Sequence, residues 1–126
     1  MVCFIKVILC LETWNLTNSS GTIISPRLND SYPSNAELTW NIIAPVNKSV
    51  VLVFREFHTE GTHDTLQVYD GCVLRATYHG DNTIPTMVST NNMVTLKFKS
   101  DASVQKDGFR IDYNTTERNT SHQGNI

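Results

Sequence analysis

With 126 residues and a formal net charge of -2, the chain has room for one domain with one core, and it carries no basic footprint for nucleic acid. No uninterrupted apolar run reaches the roughly 20 residues that a membrane-spanning helix needs. Its cysteines, Cys3, Cys10 and Cys72, cannot all pair within one chain, and their spacings match no zinc motif.

The run MVCFIKVILCL is apolar apart from Lys6. A signal peptide carries its basic residues before the apolar core and a small-residue cleavage site after it. Here Lys6 interrupts the core, and Glu12-Thr13-Trp14 follows it. Residues 1–14 are therefore expected to be a leader remnant or a poorly ordered segment, with a first strand as the alternative. The folded domain is expected to span 15–114.

Gly21 to Ser25 (GTIIS) reads as a short strand stopped by Pro26, and the turn-rich residues 27–35 (RLNDSYPSN) read as a loop. Leu38, Trp40 and Ile42 alternate with polar neighbours, which marks a half-buried strand. After a turn at Pro45 to Lys48, Ser49 to Phe57 is apolar on both faces at first. That pattern predicts a central strand with Val50, Leu52 and Phe54 on the core side.

His63 to Gly71 (HDTLQVYDG) joins an acidic turn to a strand with Leu66 and Val68 inward, then to a tight Asp70-Gly71 turn. Weaker strands are predicted at Val73 to Tyr78 and Met87 to Thr90. Met93 to Lys99 alternates with Val94, Leu96 and Phe98 inward, and Phe109, Ile111 and Tyr113 repeat the pattern. Beyond Asn114 the sequence is polar, so 115–126 reads as tail or linker. No segment sustains a 3.6-residue period. Short strands separated by turns predict an all-β fold, a sandwich of two antiparallel sheets burying Trp40, Leu52, Phe54, Leu66, Val68, Leu96, Phe98 and Phe109.

Glu60, Asp64 and Asp101 carry the main functional signal. If the end of the His63–Gly71 stretch meets the end of the FKSD strand, three carboxylates converge, and a cation or a basic partner must neutralise them. That chemistry is binding, not catalysis. His58, His63 and His79 have no ligand spacing within a regular element, and no G-x-S-x-G elbow is present. N-x-S/T occurs at Asn15, Asn18, Asn29, Asn47, Asn114 and Asn119. Chance would give about two or three, so the excess points to a secretory route and a secreted or extracellular location.

In order along the chain, Ser20-Gly21-Thr22-Ile23-Ile24-Ser25-Pro26, Tyr32-Pro33, Leu38-Thr39-Trp40-Asn41-Ile42, Phe54, Phe57, Asp64-Thr65-Leu66-Gln67-Val68-Tyr69-Asp70-Gly71, Ser100-Asp101-Ala102-Ser103 and Lys106-Asp107-Gly108-Phe109 together resemble a CUB domain. These are the extracellular jelly-roll sandwiches of complement proteases, tolloid-type metalloproteases, cubilin and spermadhesins. The likeness runs from about Leu16 to Tyr113. It implies two local disulfides, but the corresponding positions hold Glu12, Leu38, about Gly61, and His79, so both bridges are missing as complete pairs. Losing a bridge costs roughly 2–5 kcal/mol, which packing must offset. The family's SPxYP turn reads SPRLND here, with Leu28 for its first aromatic residue and Tyr32 retained as the second.

The resemblance also implies a calcium site of Glu60, Asp64 and Asp101, supported by Tyr32 and by the Ser103 carbonyl. Calcium takes six to eight hard oxygens in a forgiving geometry, which carboxylates on loop ends can supply. About one net negative charge is left over, able to receive a Lys or Arg of a partner protein. The implied function is thus an extracellular protein–protein interaction module that binds through Tyr32, Glu60, Asp64 and Asp101. Two other readings stay open at this point: a non-catalytic segment of a larger secreted protease, and a carbohydrate-binding sandwich of spermadhesin type.

Overall fold

The structure, a computed structural model, describes residues 11–26, 31–102 and 106–118. Within these residues the chain forms β1 (Leu11–Leu16), β2 (Ser20–Ile24), β3 (Glu37–Ile43), β4 (Lys48–His58), β5 (Thr65–Asp70), β6 (Val73–Tyr78), β7 (Met87–Val88), β8 (Met93–Lys99) and β9 (Gly108–Glu117), and no helix. Two sheets pack as a sandwich, one of five strands in the order β1-β3-β8-β5-β6 and one of four in the order β2-β9-β4-β7. The all-β expectation is met, and β4 lies inside its sheet as its two-faced apolar start requires.

Alternation sets the register. Leu38, Trp40 and Ile42 on β3 face inward opposite Phe98, Leu96 and Val94 on β8, and all six are buried. Between the sheets, Trp40 and Phe98 each meet Phe109 edge-on, with ring centroids 5.7 and 5.1 Å away. Burying one such side chain contributes about 1.5–3 kcal/mol, so this cluster adds several kcal/mol to the core. Of the expected core residues, Phe54 is only partly buried; it packs edge-on against Tyr78, near the register shift between Phe54 and Glu56.

Both expected domain boundaries fall inside strands. Residues 11–14 belong to β1, which pairs with β3 in parallel, so the first-strand alternative is the one realised for these residues; Met1 to Cys10 lie outside the described residues. The stretch was misread because its apolar run masked a second pattern, the turning inward of Trp14 and Leu16. Trp14 stacks on Trp40 at 5.1 Å, and Asn41 Nδ2 donates to Asn15 Oδ1 at 3.0 Å. The parallel pairing follows from the path of the chain, which crosses to the other sheet through β2 before returning as β3. At the other end, β9 continues past Asn114 to Glu117 because Lys48 to Val50 of β4 lie opposite and pair with it. Residues 119–126 of the expected tail lie outside the described residues.

The register also locates one of the two implied bridges. Glu12 and Leu38 are direct partners across β1 and β3. Leu38 is buried, so an apolar core side chain stands at a position where the resemblance implies a cross-link.

Candidate metal centre

Four strand termini meet at one end of the sandwich. Thr65 opens β5 opposite Lys99, the last residue of β8, and Gly108 opens β9 opposite His58, the last residue of β4. The loops that follow β4 and β8 carry Glu60, Asp64 and Asp101 to the same place. Oxygen atoms from the three carboxylates lie within 4.8 Å of one another.

Asp64 is the centre of the cluster and is wholly buried. Its Oδ1 accepts a hydrogen bond from the Asp101 backbone N at 2.9 Å, and its Oδ2 accepts one from the Tyr32 hydroxyl. The same hydroxyl accepts from the Glu60 backbone N at 3.0 Å, so Tyr32 touches both sides of the acidic loop. Burial raises the pKa of Tyr32 well above the usual phenol range, and donation to Asp64 adds to the effect. Tyr32 therefore serves as a neutral donor. Its ring is fixed edge-on against Phe98 at 5.0 Å.

Asp101 is set by the loop from Tyr32 to Ala36. Asn35, at φ 53°, donates its backbone N to the Asp101 carbonyl at 2.9 Å. Ser100 Oγ donates to the Pro33 carbonyl at 2.7 Å and accepts from the Ala36 N at 2.9 Å. Beneath them Gly108, at φ 94°, lies so close to Ser25 that a Cβ would sit 2.0 Å from its Oγ. That position accepts only glycine, and the Ser25 Oγ bonds the Phe109 N at 3.0 Å.

The residues expected from sequence, Glu60, Asp64, Asp101 and Tyr32, thus come together. Ser103 lies outside the described residues. His63 Nδ1 stands 3.8 Å from Asp101 Oδ2, His58 bonds Asp81 at 3.1 Å, and His79 is exposed. Two supporting residues were not anticipated, Thr59 and Ser100. Each is a buried polar residue two positions after an inward aromatic, Phe57 or Phe98, one step beyond the end of its strand. A period-2 reading carried past the strand end finds them.

The donor set suits a hard divalent cation. All three groups offer oxygen, and each Asp64 oxygen has a second lone pair beyond the hydrogen bond it accepts. Calcium–oxygen distances of about 2.3–2.6 Å put ligands on opposite sides of one ion roughly 5 Å apart, which the 4.8 Å spread matches.

Residues 10–113 match the CUB domain family model. This chain belongs to the CUB domain family. It is 40% identical over 104 residues to human (Homo sapiens) Tolloid-like protein 1, an alignment that covers 76% of this chain and 10% of that protein. The chain therefore spans about a tenth of the length of that relative. Among solved structures, the CUB1-EGF-CUB2 domains of rat MASP-1 superpose with a TM-score of 0.80 at 28% identity, covering 88% of this chain and 45% of that one. A MASP-1 CUB2 domain bound to Ca2+ gives a TM-score of 0.74 at 23% identity, covering 79% and 96%, and shares the fold. In homologues such as the tolloid-like proteins and MASP-1, CUB domains are non-catalytic parts of longer extracellular proteins and mediate protein–protein interactions.

Proposed function

We propose that this CUB domain is an extracellular interaction module that holds calcium among Glu60, Asp64 and Asp101 and receives a Lys or Arg side chain of a partner protein there. The observation that carries this reading is Asp64, a fully buried carboxylate whose only described hydrogen-bond donors are one hydroxyl and one amide, with two more acids beside it. Like charges about 4 Å apart repel by on the order of 1–4 kcal/mol per pair at surface-like dielectric values, so the cluster favours a bound cation. The Ser103 carbonyl is a further candidate ligand. With three carboxylates around a divalent ion, about one negative charge remains to attract a basic side chain. Binding as one segment of a longer secreted protein is part of the proposal.

The sequons support the extracellular setting. Asn15, Asn18, Asn47 and Asn114 are exposed, and we propose that they carry N-linked glycans. They cluster at the end away from the acids: Asn114 pairs with Ser20, and the Asn47 carbonyl meets the Arg118 amide at 3.4 Å. Glycans there would leave the acidic end open. Asn29 and Asn119 lie outside the described residues. Peptide mass mapping of protein secreted from eukaryotic cells tests the assignment; unmodified asparagine at all four positions would refute it.

The main test is calorimetric titration of calcium into wild type and Asp101→Ala, with thermal melts in chelator. Wild type should bind and gain about 2.7 kcal/mol at a hundredfold excess over the dissociation constant, and the variant should lose that gain. A wild type that gives neither calcium heat nor a shift in melting would rule the site out.

A further inference from the structure

We propose that Thr59 is the positioning residue of the carboxylate site, its hydroxyl closing the ligand loop and locking it to the connection between β6 and β7. The proposal rests on the reading of Glu60, Asp64 and Asp101 as a calcium site, and it assigns what sets the affinity of that site.

The loop from Glu60 to Asp64 carries two of the three carboxylates on five residues, of which Gly61, Thr62 and His63 are exposed. Within it, the backbone supplies one bond, from the Asp64 N to the Glu60 carbonyl at 3.1 Å. Thr59, just before the loop, is 1% exposed. Its Oγ1 donates to the Asp64 carbonyl at 3.0 Å, which draws the far end of the loop back to its start. The same oxygen accepts from the Gly80 N at 2.9 Å, while the Thr59 N donates to the Gly80 carbonyl at 3.0 Å. One hydroxyl thus joins two backbone points, the Asp64 carbonyl and the Gly80 N, and only a group that both donates and accepts can do so.

Gly80 is shaped for this exchange. It holds φ 77°, while a Cβ there would meet nothing within 4 Å. The glycine is therefore required by backbone conformation and not by space. The stitching continues on both sides, with the Asn82 N donating to the Phe57 carbonyl at 3.1 Å and His58 bridged to Asp81. No covalent link does this work among the described residues, since Cys72 is free and exposed, and Gly61 and His79 flank the clasp.

Asp64 acts on the ion through its carboxylate, and Thr59 acts through Asp64. Removing the hydroxyl leaves the Gly80 N and the Asp64 carbonyl without their buried partner and frees the loop to rotate. Groups that orient metal ligands in this way typically change affinity by about 10–100-fold when lost.

The decisive comparison is Thr59→Val, which keeps shape and removes the hydroxyl, against Thr59→Ser, which keeps the hydroxyl and removes the methyl. The probe is calcium itself, titrated calorimetrically. Amide hydrogen exchange at Gly80 and Asp64 is measured in chelator alongside it. The valine variant should bind calcium about tenfold or more weakly and lose protection at Gly80, while the serine variant stays within about threefold of wild type. Calcium binding by the valine variant as tight as wild type overturns the proposal. Equal loss in both variants also overturns it, because packing of the methyl would then be the cause. If the valine variant does not fold, the serine variant decides: a tenfold loss is fatal and near-wild-type affinity supports the clasp. If wild type binds no calcium, the site reading fails and Thr59 sets no affinity.

Discussion

Strand β5 is bracketed by two buried aspartates that meet opposite fates. Asp64 precedes it and Asp70 ends it, and both are at most 1% exposed. Asp70 receives a full complement of donors. Its Oδ2 accepts from the Thr90 N at 2.8 Å, the Thr90 Oγ1 at 3.0 Å and Arg75 Nη1 at 2.5 Å. Its Oδ1 accepts from the Asn91 N at 2.9 Å and Asn91 Nδ2 at 3.0 Å. No other acid among the described residues is part of this network. Among the described residues Asp64 has one hydroxyl and one amide, and two acids for neighbours. The same residue type is thus neutralised by the protein at one end of the strand and, on the proposed reading, left for an outside cation at the other. Burial alone does not distinguish a structural carboxylate from a binding one; the number and kind of donors does.

Isosteric substitution gives the largest separation between the two ends. Asp70→Asn swaps an acceptor-only group for one whose NH2 must face Thr90, Asn91 or Arg75. Discounted for the partial exposure of Arg75, the cost should be about 2–3 kcal/mol. At roughly 3–5 °C per kcal/mol for a domain of this size, melting should fall by about 6–15 °C. Asp64→Asn in chelator should cost far less, because it relieves repulsion from Glu60 and Asp101 while keeping an acceptor. In calcium the order changes, since that variant gains nothing from the ion. Equal losses for the two variants in chelator would dissolve the distinction.

Acid titration sharpens the same contrast. At Asp70 burial works to raise the pKa, but hydrogen bonds from Thr90 and Asn91 outweigh it and the pKa is lowered. The unfolded chain then takes up the proton first, so this stabilisation is complete above the ordinary aspartate value near 3.9. It is lost as pH falls through the lower folded value. Melting of wild type in chelator should therefore drop steeply below about pH 4, and Asp70→Asn should flatten that limb. An unchanged acid limb in the variant would show that other carboxylates govern it.

How far the two ends were legible in sequence follows from the same physics. Inward positions such as Trp40, Leu96 and Ile111 were readable because a period of two leaves no choice once one face is buried. Glu60, Asp64 and Asp101 were readable because acids at strand ends have few roles and because the motif order resembled a family. Trp14 was missed because one alternating strand is indistinguishable from the tail of an apolar run until β3 is beside it. Donors are the least visible part. Asp70 was read as a turn residue, and nothing in the spacing of Thr90 and Asn91 tells that they fold over it, since that contact depends on two turns meeting across space.

Arg75 should have the smallest effect, and it decides how Asp70 is neutralised. The guanidinium is 39% exposed on the edge strand β6, and surface-like ion pairs contribute about 0–1 kcal/mol. If backbone amides and neutral side chains hold the Asp70 charge, Arg75→Gln should lower melting by no more than a few degrees. The deficit should also shrink at high salt, which screens an exposed pair. If instead the loss approaches that of Asp70→Asn, Asp70 depends on a cation just as Asp64 is proposed to. The two ends would then share one electrostatic design, differing only in whether the cation belongs to the chain. Melts of the two variants at low and high ionic strength separate these outcomes, because amide dipoles inside the turn are little screened while the guanidinium is exposed to the salt.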